Sequence, residues 1–66
     1  MEFNPKAMAR MVENDMYLSF VFVDLTKRNP NSSERDILEI VYNANVAEDN
    51  VYSYSYQEEL NKINEG

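Results

Sequence analysis

Residues 16–25, MYLSFVFVDL, decide the fold. The run is rich in aromatic and β-branched residues, a composition that suits a strand. Its alternation is poor, however. Leu18, Phe20 and Phe22 on one side and Val21, Val23 and Leu25 on the other are all apolar, so a strand here needs cover on both faces. It also needs neighbours, and the only good second strand is 51–56, VYSYSY. A helix accommodates the same residues with fewer demands. The sequence therefore predicts an all-α fold, a small three-helix bundle with helices at about 5–27, 32–43 and 46–64. The alternative is an α+β fold with strands at 17–25 and 51–56.

Working back from this stretch, Asn4 before Pro5 is a helix start, because proline is pre-set for the first helical position. On a helix from there to Lys27, at about 100° per residue, Met8, Val12, Met16, Ser19, Phe20 and Val23 fall on one side. Ala7, Met11, Leu18, Phe22 and Leu25 fall beside them. A surface helix needs an apolar arc of only about 100°; this one covers more than half the circumference and must be covered from two directions. Met11, Leu18, Phe22 and Leu25 are the expected contact residues for a partner. Tyr17 and Tyr54 join them, because tyrosine has an apolar body and a polar tip that suit interfaces. Tyr42, on the polar side of the second helix, is a further candidate for an exposed aromatic contact.

Working forward, Pro30 in RNPNSS breaks the chain. Asn31-Ser32-Ser33-Glu34 and Asn45-Val46-Ala47-Glu48 both have capping-box spacing, with Asn in the capping place. The second helix then places Ile37, Ile40, Val41 and Ala44 on one stripe with Leu38 on its shoulder. The third places Tyr52, Tyr56, Leu60 and Ile63 together, with Glu58 and Lys62 at pairing distance along the helix. The only glycine is the last residue, which suits helices with short links better than a set of hairpins.

A chain of 66 residues makes one small domain, 1–66, whose core seldom supplies more than about 3–5 kcal/mol. It has no Cys, His or Trp, so disulfides, a structural zinc site and every thiol or imidazole mechanism are excluded. Association, with itself or another protein, is the leading source of extra stability. The 12 acids and 6 bases give a net charge of −6, all of it from residues 29–66, since residues 1–28 balance. Asp36, Glu39, Glu48, Asp49, Glu58 and Glu59 form the expected acidic surface. Such a surface repels a phosphate backbone, so direct nucleic-acid binding is not expected. No apolar run approaches the roughly 18 residues a membrane span needs, and a soluble cytoplasmic protein is the expectation.

Catalytic patterns are missing. The carboxylate pairs read as exposed helix faces, without the desolvation that raises a catalytic pKa. The segment DNVYSYSYQEEL lacks the ligands and glycine of a calcium loop, and one glycine cannot make a phosphate-binding loop. No enzyme activity and no cofactor are expected. The composition points to a non-enzymatic protein-interaction module, a homo-oligomer (dimer) or heterocomplex acting as adaptor, regulator or assembly factor. Phage and mobile-element accessory proteins often share this build, which is an analogy of composition only. The alternative is an acidic decoy that imitates DNA phosphates and occupies a nucleic-acid-binding protein.

Overall fold

The computed structural model describes residues 2–65, and among them every regular element is helical. Four α-helices, α1 (Pro5–Asn14), α2 (Met16–Arg28), α3 (Glu34–Val41) and α4 (Asn50–Glu65), pack as a bundle, with a π-helical turn at Tyr42–Val46 between the last two. The all-α expectation holds. One correction applies: there are four helices rather than three. The segments 17–25 and 51–56 are helical, as the three-helix reading has them, and the α+β alternative is set aside.

The expected helix 5–27 is broken at Asp15. This residue is extended, at φ −128° and ψ 120°, and serves as the C-cap of α1 and the N-cap of α2. Its Oδ1 accepts from the Leu18 amide at 2.9 Å. A short carboxylate that satisfies an orphan amide favours a helix start over a helix interior. Tyr52 on α4 holds the break from outside, its hydroxyl donating to the same Oδ1 at 3.1 Å. Asn4 caps α1 as expected, its Oδ1 accepting from the Ala7 amide at 3.1 Å, with Pro5 at the first helical position.

The second helix starts later than the expected 32, at Glu34. Its cap is Ser33, whose Oγ accepts from the Asp36 amide at 3.1 Å. Past Val41 the helix widens, and the Ala47 amide bonds to the Tyr42 carbonyl at 2.9 Å, five residues back. The extra residue in this turn rotates the segment beyond it. In an unbroken α-helix Asn45, four residues after Val41, would face inward; the π turn buries Val46 and leaves Asn45 half-buried. The same change of phase leaves Ala44 exposed, while Ile40 leans outward from the expected stripe. Asn45 is thus no helix start. The last helix begins at Asn50 rather than 46, where Asp49 Oδ2 accepts from the amides of Val51 (3.0 Å) and Tyr52 (2.7 Å).

Ala7, Met8, Met11 and Val12 of α1, Leu18 of α2, Leu38 and Val41 of α3, Tyr42 and Val46 of the π turn, and Tyr56 of α4 form the core. Tyr42, expected to be exposed, is buried between Phe3 and Tyr56, with ring centroids 5.6 and 5.0 Å away. Arg35 covers the Phe3 ring, its guanidinium carbon 5.4 Å from the centroid. The fully buried Tyr56 satisfies its hydroxyl by accepting from the Asn4 amide and donating to the Glu2 carbonyl, both at 2.6 Å. One phenol thereby fastens the N-terminal segment to the last helix.

Candidate functional site

The break at Asp15 divides the apolar pattern between two helices. In α1, Ala7, Met8, Met11 and Val12 turn inward. In α2 the inward residue is Leu18, with Val21, Phe22 and Leu25 packed half-buried against the core. Met16, Phe20 and Val23 therefore point the other way. They are 91 %, 70 % and 47 % exposed, and lie with Lys27 within an arc of about 60° directly opposite Leu18. Tyr17, 56 % exposed, stands beside them.

Two of the expected contact residues are thus corrected. Met11 and Leu18 belong to the interior and cannot touch a partner in this fold. Phe22 and Leu25 are half-buried against the core. Tyr17 and Tyr54 are exposed as expected, and Val51, one turn before Tyr54, is exposed with it. Missed by the sequence reading were Met16, Phe20 and Val23 as an outward face. The signal was present in Asn14-Asp15, two residues that favour helix ends over interiors.

The acidic residues do not form one face. Asp36, Glu48, Asp49 and Glu58 are exposed and Glu39 is half-buried. Glu59 is a correction: it is buried, its Oε1 2.7 Å from Arg10 Nε and its Oε2 3.7 Å from Lys62 Nζ. Lys62 thus turns to Glu59 rather than to the expected Glu58. The hydrogen bond from Arg10 holds the Glu59 carboxyl below the usual carboxylate range, against the opposing effect of burial. Asp49 engages one carboxylate oxygen in capping α4. With Glu48 it lines an open groove that Tyr17 and Ala44 also border, so acidic charge gathers at the start of α2. At the other end of α2 stand Lys27 and Arg28, the latter paired with Asp24 at 3.1 Å.

Two phenols have perturbed pKa values. Burial raises that of Tyr56, and burial raises that of Tyr52, helped by its bond to the Asp15 carboxylate. Both are anchored structurally, one at the N-terminal segment and one at the α1–α2 break. The notch beside Tyr52, about 230 Å³ and also lined by Asp15, Glu58 and Lys62, is open, and smaller than the sites that enclose most small ligands. Among the described residues no group of three or more acids is placed to hold a metal ion. Nor is any helix long and apolar enough to cross a membrane. The chain matches no protein-family model, no curated protein and no solved structure at a significant level.

Proposed function

We propose that this chain is a small non-enzymatic protein-interaction module of the cytoplasm, which uses the outward face of α2 to bind and modulate, or to assemble with, protein. The observation that carries the reading is the exposure of Met16, Phe20 and Val23 on the side of α2 opposite Leu18. Scattered apolar residues on a surface are ordinary, but a contiguous row on one helix face marks an interaction site. Anchors at i, i+4 and i+7 are the spacing by which a helix meets another helix or a groove. The acidic-decoy alternative has weaker support, because Glu59 is withdrawn into an ion pair and Asp49 caps α4.

The test is photo-crosslinking in cells, with a benzophenone amino acid in place of Phe20 and, as control, in place of the exposed Glu34 on α3. The expected result is a discrete protein adduct from position 20 that position 34 does not give. Adducts of equal yield at both positions, or none at position 20, would overturn the reading.

A further inference from the structure

Met16, Phe20, Val23 and Lys27 are spaced by four, three and four residues, the alternation of the a and d positions of a coiled-coil seam. The face is also polarised in charge. Glu48 and Asp49 border the groove at Tyr17, and the exposed Glu13 precedes the α1–α2 break, so one end is acidic. Lys27, on the face itself, makes the other end basic, the charge of the neighbouring Arg28 being balanced by Asp24. A seam with acids at one end and bases at the other complements itself when reversed.

From this we infer that the occupant of the α2 face is a second copy of the chain, with the two α2 helices packed antiparallel about a two-fold axis. The inference rests on the reading of this face as a protein contact. In an antiparallel pair each a position meets a d position of the other helix. Phe20 then packs on the smaller Val23 of the other copy, and Val23 on its Phe20. Met16 lies along the aliphatic stem of Lys27 from the other copy, whose ammonium reaches the acidic end formed by Glu13, Glu48 and Asp49. A parallel pair would instead bring Lys27 beside Lys27 and the acidic ends together. An isologous contact of this kind closes at two copies.

Area sets the strength. Met16, Tyr17, Phe20 and Val23 together expose roughly 500 Å² for side chains of these sizes. Complete burial of two such faces would remove about 1,000 Å² at most, the lower limit for a specific interface. The net charge of −6 on each copy opposes approach at long range. The pair is therefore a weak, concentration-dependent dimer rather than a permanent one.

Sedimentation equilibrium of the full chain from 5 μM to 1 mM tests this, with circular dichroism to confirm that each variant folds. Wild type should dimerise in that range, and Phe20→Glu should raise the dissociation constant at least tenfold. Met16→Glu distinguishes the registers. Antiparallel packing sets the introduced carboxylate against Lys27 of the other copy, so dimerisation is kept or tightened. Parallel packing sets the two introduced carboxylates against each other and weakens it. Adding Lys27→Glu to Met16→Glu should weaken dimerisation at least tenfold. A chain monomeric at 1 mM, a dimer indifferent to Phe20→Glu, or a dimer weakened by Met16→Glu alone would each overturn the inference. A monomer that still gives the position-20 adduct with a different protein would leave the interaction reading standing and remove only the second copy as occupant.

Discussion

Arg10 on α1 donates from Nε to Oε1 of Glu59 on α4 at 2.7 Å, joining residues 49 positions apart in sequence. Glu59 is the one charged side chain buried among the described residues, and Lys62 supports it from one turn further on. Arg10 is about half exposed, so solvent screens the pair and its worth stays near the upper end of the surface range, about 1 kcal/mol. Because the Glu59 pKa is lowered in the folded state, the stabilisation is present above the unfolded carboxyl pKa. It is lost as the pH falls through the folded value. Thermal melts of wild type and Glu59→Gln should therefore differ at pH 7 and converge in acid, once the pH has fallen through the lowered folded value. A gap that persists undiminished in acid would mean that packing, not charge, explains the difference.

The Tyr56 hydroxyl makes two bonds to backbone groups of the N-terminal segment. Tyr56→Phe removes both and leaves an amide and a carbonyl without that partner, so it should cost about 1–3 kcal/mol in denaturant unfolding. Alkali should act through the same group. Its pKa is raised by burial, so stability is full below the ordinary tyrosine value near 10.0. Stability is lost as the pH rises beyond that value, where the unfolded chain ionises first. The loss of stability as the pH rises above 10.0 should be shallower for Tyr56→Phe than for wild type.

Much of this fold was legible from local chemistry. Asn4-Pro5 and Pro30 give the start of α1 and the break before α3 directly, because each acts through its own side chain. What stayed hidden depended on tertiary partners. Asp15 closes the polar triplet Glu13-Asn14-Asp15, but its bond to Tyr52, 37 positions away, is a contact that no local pattern contains. Leu18 was expected at an interface because the apolar arc, read as one long helix, looked too wide for the chain to cover; the core takes Leu18 and leaves Met16, Phe20 and Val23 outside. The π turn is similar: it keeps Asn45 from facing inward and buries Val46, a balance that helical periodicity alone does not express. Tyr42 looked exposed for the same reason, since the rings of Phe3 and Tyr56 that enclose it come from the two ends of the sequence.

Asp15 and Tyr52 should therefore be energetically coupled. Asp15→Ala removes a cap and the acceptor of a side-chain bond, at an expected cost of about 1–2 kcal/mol. Tyr52→Phe removes only the bond, at about 0.5–1.5 kcal/mol. Since both changes delete the same contact, the double variant should lose less than the sum, by about 0.5–1 kcal/mol. Strict additivity in urea unfolding would show that the bond between them contributes nothing to the break.

The sharpest contrast on α2 is between two residues only two positions apart. Leu18 is fully buried, and Leu18→Ala should cost about 2–5 kcal/mol, through lost transfer energy and the cavity left behind. Phe20 is the bulkier side chain, yet Phe20→Ala should change the stability of the monomer by no more than about 0.5 kcal/mol, because water already surrounds most of it. Unfolding is best followed at a few micromolar, where association adds nothing. The order of the two measured costs decides which side of α2 meets the core. A larger loss for Phe20→Ala than for Leu18→Ala would show that Met16, Phe20 and Val23 are the packed face and that the outward row has been assigned to the wrong side of the helix.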